Sequence, residues 1–219
     1  MSLGEVASSL VADGKGIFAA DAGPQTIGKR ASEMGMEMET IEQRRKYREV
    51  ILTATGLGKY IGGIILHEET LGQSTSSGIS FVDVINKEGI MPGIKVDQGT
   101  VEMQPGSVEK ITQGLDGLSD RLAEHARAGA KFTKWRAVIT ITATTPTSAN
   151  IDSNAKSLAK YAKLSQQAGL VPVVEPEVLM EGDHALDRCA DVTRLLGKKV
   201  FQALLEQEVD LAGMLYKPN

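Results

Sequence analysis

Short apolar runs alternate with longer amphipathic stretches along the whole chain, and that alternation decides the fold class. The runs are Gly16–Ala20, Ile61–Leu66, Gly93–Val96, Lys131–Ile141, Leu170–Val174 and Leu211–Tyr216. Each is short, and the interior ones have turn or helix signals at both ends, as parallel strands buried on both faces do. Helical patterns lie between them. Ile41–Leu52 sets Ile41, Tyr47, Ile51 and Leu52 amid Arg44, Arg45, Lys46, Arg48 and Glu49, and Leu118–Ala128 spaces Leu118, Leu122 and Ala126 by four. Asn150–Ala168 and Asp183–Glu208 are the longest helices, with Gly169 closing the first and Asp183 capping the second.

Strand–helix alternation calls for a parallel sheet covered by helices. An open nucleotide-binding sheet wants a glycine fingerprint after its first strand, and Asp21-Ala22-Gly23-Pro24 supplies none. A (β/α)8 TIM barrel wants chemistry-bearing residues at several strand ends. Here those ends carry Asp21, His67 with Glu68, Lys95 with Asp97, Lys134 with Arg136, Glu175 with Glu177, and Lys217. The expected fold is therefore α/β, a barrel with about six of its eight strands present.

Composition trims the function classes. Lys plus Arg number 24 against 28 acidic residues, a net charge of −4, so no overall field draws the chain to nucleic acid. Four Phe, four Tyr and one Trp leave little for base stacking. No apolar run approaches the roughly 20 residues of a membrane span, and the N-terminus lacks a secretion signal. A lone Cys189 cannot form an internal disulfide and reads as a buried, inert thiol in a reducing, cytoplasmic setting. His67, His125 and His184 are scattered without ligand spacing, so no metal and no cofactor is expected. His125 reads as a surface residue and His184 as part of a helix start. No G-x-S-x-G elbow marks a serine nucleophile.

What remains is three lysines, Lys95, Lys134 and Lys217, with carboxylates at strand ends. Charges converging on one barrel mouth cost desolvation energy unless paired or used. A lysine amine attacks a carbonyl only when neutral, which burial and a neighbouring cation promote. The imine it forms withdraws electrons from a breaking carbon–carbon bond, and carboxylates move the protons. The residues therefore point to Schiff-base lyase chemistry on an anionic carbonyl compound, without choosing the attacking lysine.

Nine segments add a resemblance: Gly14–Asp21, Gly28–Arg30, Arg44–Arg48, Gly62–Leu66, Gly93–Asp97, Gln113–Leu118, Lys134–Arg136, Val174–Glu177 and Leu215–Asn219. In this order, over nearly the whole chain, they resemble class I fructose-bisphosphate aldolase. The resemblance implies metal-independent cleavage of fructose 1,6-bisphosphate to glycerone phosphate and glyceraldehyde 3-phosphate, by a cytoplasmic glycolytic homotetramer. It implies Lys217 as Schiff-base former, Glu175 as the main acid and base, and Asp21 as the base during bond cleavage. Lys134 would be a cation beside these carboxylates, and Lys95 would support Asp21 and a phosphate. Arg30, Arg44, Arg136 and Thr26 would contact phosphate or the substrate chain. Lyases acting on deoxyribose phosphate or sedoheptulose phosphate share a barrel lysine but not this set of segments.

Two departures are visible. Ala22-Gly23 stands where the family usually has Glu-Ser, which removes a hydroxyl from the phosphate grip. The family also continues beyond Asn219 through two further strands, so residues 1–219 read as a single aldolase-type barrel domain, C-terminally incomplete. The competing expectation is a non-catalytic aldolase-derived fragment or scaffold that binds partners.

Overall fold

The structure, a computed structural model, describes residues 1–218. In chain order its elements are α1 (Leu3–Leu10), β1 (Gly16–Ala20), α2 (Pro24–Glu33), α3 (Ile41–Leu52), β2 (Ile61–Leu66), α4 (Glu68–Leu71), α5 (Phe81–Lys87) and β3 (Met91–Lys95). There follow β4 (Thr100–Glu102), β5 (Lys110–Thr112), α6 (Leu118–Arg127), β6 (Phe132–Ile139), α7 (Ser148–Gln167), β7 (Val171–Val178), α8 (Leu186–Glu206) and β8 (Leu215–Tyr216). The six apolar runs all overlap strands. The sequence reading missed α1, α2, α4, α5 and the β4–β5 hairpin.

The chain divides into two compact units interleaved in sequence. One holds Ser8–Lys95 and Arg127–Phe132; the other holds Met1–Ala7, Val96–Ala126 and the chain from Thr133 onward.

In the first unit β1, β2 and β3 pair in parallel, with Phe18 opposite Ile64 and Ile65 opposite Gly93. β2 is buried along nearly its whole length, as its unbroken apolar run requires. Gly63 and Gly93 are glycines for a steric reason. A Cβ on either would run into the Phe132 ring, which is fully buried. Phe132→Ala should cost about 3–5 kcal/mol through the cavity left over these glycines. Gly93→Ala should cost about 1–3 kcal/mol through overpacking. Urea midpoints of the two variants check both, and an unshifted Gly93→Ala would show that the ring has room to move.

In the second unit the order is β6-β7-β8, with Val173 opposite Leu215 and Val174 opposite Tyr216. Helices α7 and α8 pack on one another and on β7. Thr147 caps α7 through Asn150 N–H, and Gly169, at φ 75°, ends it as its sequence suggested. Asn150 and Asn154 both donate to Lys110 O, at 2.9 and 3.0 Å, and so tie β5 to α7.

Several readings need correction. Asp183 does not cap α8; a turn through Gly182 (φ 126°) leaves it exposed three residues before the helix, whose N-cap is Ala185. Leu211–Tyr216 is not one strand. Asp210 Oδ1 accepts from Ala212 N–H and turns Leu211–Gly213 into a 3-10 segment, leaving only Leu215–Tyr216 extended. His125 is buried, because it lies three residues after buried Leu122 on the same helix face. Cys189 is only half-buried. In α3 the apolar set is split, and two arginines join its buried face. Arg44, Arg48 and Leu52 are buried, whereas Ile41 and Tyr47 are exposed.

Candidate active site

Alternation along an extended chain puts Lys134 and Arg136 on one face of β6 and Glu175 and Glu177 on one face of β7. The structure joins them rung by rung. Lys134 Nζ lies 2.9 Å from Glu175 Oε2, and Arg136 Nε pairs with Glu177 Oε2. Because both pairs ascend together, the two strands run in the same direction. These residues were expected at strand ends. They sit inside the strands instead, since β6 and β7 continue to a further link from Leu179 N–H to Ile139 O.

Lys217 follows β8 directly. Its backbone N–H donates to Val174 O at 2.9 Å, and its Nζ donates to Glu175 Oε1. Glu175 thus stands between two ammonium groups, one facing each carboxylate oxygen. Lys134 meets Oε2 at ion-pair distance but off the line of a hydrogen bond. The glutamate side chain is 3% exposed and Lys134 8%, whereas Lys217 is 40% exposed. A buried carboxylate is tolerable only with such partners, and here two cations serve one anion.

The opposite face of β6 is locked by packing. Trp135 stacks on Tyr161 with ring centres 5.4 Å apart. Tyr161 shares a 2.9 Å hydrogen bond with Thr133 and donates to Val173 O. Burial pushes the Tyr161 phenol far up, so it stays neutral. This backing leaves β6 and β7 little freedom and holds Lys134 and Glu175 in place. Burial works against the Arg136 cation, but Glu177, with Glu175 and Asp97 further off, more than offsets it and raises its pKa. Asp97 Oδ2 also accepts from Arg136 N–H at 3.3 Å.

In the other unit Asp21 directly follows β1, Lys95 ends β3 and His67 follows β2; all three are half-buried. Asp21 and Lys95 both interact with other groups of the protein. His67 Nδ1 accepts from Glu69 N–H at 3.2 Å. Burial, then Arg48 and Lys95, lower its pKa despite the nearby glutamates, so the ring is neutral with its proton on Nε2. That nitrogen lies against Gly23, 3.2 Å from where a Cβ would be. Gly23 also starts α2 without a side-chain cap. Thr26 and Arg30 are exposed on α2 and line a recess of about 470 Å³.

Arg44 stands apart from these. Its Nε and Nη2 hold Glu69, and its Nη1 donates to Glu39 O at 2.6 Å. The sequence reading missed Arg48 and Glu69, the rest of that cluster. The signal was present in the spacing, since Arg44, Arg48 and Leu52 fall four apart on one helix face. Among the described residues no group of three His, Cys, Asp or Glu side chains is placed to hold a metal ion, and no helix is long and apolar enough to cross a membrane.

Parallel strands that set amine, carboxylate and amine side by side define an α/β protein with a charged row along its sheet. The family model for class-I fructose-bisphosphate aldolase matches residues 2–219, and the chain belongs to that family. It is 48% identical over 217 residues to a probable fructose-bisphosphate aldolase class 1 of Xanthomonas campestris, covering 99% of this chain and 65% of that one. It is 49% identical over 207 residues to a cytosolic aldolase of Arabidopsis thaliana, covering 94% of this chain and 52% of that one. The structure superimposes with a TM-score of 0.94 on the aldolase of Plasmodium falciparum, crystallised with TRAP and a small-molecule inhibitor. That match is 47% identical and covers 98% of this chain and 62% of the other. The fold is thus α/β, that of an aldolase TIM barrel, and the chain spans less than two thirds of these relatives' length.

Proposed function

We propose that the protein acts as a class I fructose-bisphosphate aldolase with Lys217 as its Schiff-base lysine, and that both units belong to one barrel domain. The observation that carries the reading is Glu175 held between Lys134 and Lys217. Glu175 takes a proton from Lys217 Nζ, whose freed lone pair bonds to the ketone carbon, and loss of water gives the imine. Glu175, within reach of that amine, supplies and removes the protons of dehydration. When the adjacent carbon–carbon bond breaks, its electrons enter the iminium, and Asp21 takes the hydroxyl proton that converts the leaving half to an aldehyde. Protonation and hydrolysis of the remaining enamine release glycerone phosphate and restore the amine. Lys134 stays charged and holds Glu175 in place.

Lys95, Arg30, Arg136 and Thr26 are the proposed phosphate and chain contacts. Arg44, whose guanidinium is fully occupied by Glu69 and backbone, contributes by fixing α3. A cytoplasmic setting is supported by the cytosolic relative from Arabidopsis. A homotetramer belongs to the same reading, and sedimentation velocity tests it.

Incubation with glycerone phosphate and borohydride should fix one substrate mass per chain, with the same yield in excess EDTA. Activity lost to EDTA and restored by zinc would overturn the imine reading in favour of a metal enzyme. Absence of any adduct would favour a non-catalytic scaffold, which the missing hydroxyl at Gly23 would suit.

A further inference from the structure

Arg44 and Arg48 reach one carboxylate in different ways. Arg44 turns its Nε/Nη2 edge onto Glu69, with Nη2 at 2.8 Å from Oε1. Arg48 uses only Nη1, 2.8 Å from Glu69 Oε2 and 3.2 Å from Gln73 Oε1. Its remaining edge, Nε with Nη2, is buried and has no hydrogen-bond partner, in a side chain only 3% exposed. That edge is a planar two-donor fork, the shape that matches a carboxylate. Leaving buried donors of a charged group unmade costs roughly 1–3 kcal/mol or more, so the vacant fork calls for an occupant.

A cavity of about 140 Å³ is lined by Arg48 and Thr70, by Arg30 and Tyr47, and by apolar side chains that include Phe18 and Ile51. Thr70 Oγ1 is likewise buried and unpartnered. Arg44 and Arg48 against Glu69 leave one net positive charge in the buried cluster, which a monoanion neutralises. A cavity of this size takes an apolar body of about benzene's dimensions.

We propose that this cavity binds a small monocarboxylate with a compact apolar body, seated by the Nε/Nη2 fork of Arg48 and the Thr70 hydroxyl. Inorganic phosphate suits it poorly, since Phe18, Ala20, Ile27 and Ile51 give the cavity hydrocarbon walls that a dianion cannot use. Arg30, a proposed phosphate contact, lines the same cavity, whereas Lys134, Glu175 and Lys217 do not, so benzoate binding is read separately from imine formation.

Benzoate is the probe, titrated into the 219-residue protein by calorimetry and followed on the Arg48 Nε–H signal by NMR. The expected result is saturable one-to-one binding with a dissociation constant of about 1 mM or tighter. Benzyl alcohol, with the same ring and no charge, should bind at least about tenfold weaker. Arg48→Met should abolish binding but also strips Glu69 of a partner and risks unfolding. Ile51→Phe fills the cavity while leaving the fork and Glu69 untouched. It should lose binding at least about tenfold with the protein still folded. No saturable binding by the unmutated protein, or undiminished binding by folded Ile51→Phe, would overturn the site. Phosphate displacing benzoate at equal affinity would overturn its assignment to carboxylates.

Discussion

Lys217→Ala is expected to abolish covalent trapping by borohydride with glycerone phosphate, whereas Lys134→Met should only slow it. Both amines face Glu175, but their surroundings differ. Lys134 is 8% exposed and lies inside β6, so an approaching ketone would have to displace buried strand and carboxylate to reach it. Lys217 is 40% exposed, just past β8, and presents its Nζ to the one carboxylate positioned to move its protons. Without Lys217 no amine beside Glu175 is accessible, and the adduct should fall below detection. Without the Lys134 charge the nucleophile remains, but Glu175 loses one of its two cations. Trapping should then slow by about tenfold to a hundredfold, up to the lower end of what general acid–base catalysis contributes, because the carboxylate itself remains. Peptide mapping of the reduced adduct decides. A stable adduct on Lys134 in the unmutated protein would reverse the two roles.

Much of this arrangement was legible in the sequence because parallel strands announce themselves. Ile61–Leu66 is an unbroken apolar run, and in the structure it is a strand with those bounds. Lys134 stood out for the same reason, as a charge interrupting a run that must be buried. Partnership was harder to see. The α3 helix was read from Ile41, Tyr47, Ile51 and Leu52 as its apolar set, since such residues outrank arginine for burial. The ranking failed because Glu69, about two dozen residues later, accepts both Arg44 and Arg48 and makes their burial affordable. No local pattern reveals such a distant counter-charge. Gly23 is a similar case. It was read only as a lost hydroxyl, but the His67 ring occupies the space beside it, so the two positions are coupled through packing. The β4–β5 hairpin escaped notice because its strands are three residues each and half their side chains face water. Its anchorage on Asn150 and Asn154 lies forty residues away.

Glu175→Gln should destabilise the protein as strongly as it impairs trapping, and the two effects have separable causes. The amide keeps the size of the carboxylate but no longer neutralises anything. Lys217 can turn to solvent at little cost, being well exposed. Lys134 cannot, because its side chain is enclosed in β6 against β7. Removing one partner of a buried ion pair typically costs about 3–5 kcal/mol, mostly from the charge left behind. For a protein of this size that is a urea midpoint lower by about 1 M or more. Adding Lys134→Met removes the stranded charge and fills its space with a flexible apolar chain, so the double variant should recover at least half of the lost stability. Trapping at Lys217 should stay slow in the double variant, since no carboxylate remains to move the protons. Stability that does not return would mean that Glu175 holds the strands by something other than its charge on Lys134. Trapping that returns with stability would mean that its part in the chemistry is only to keep the site folded.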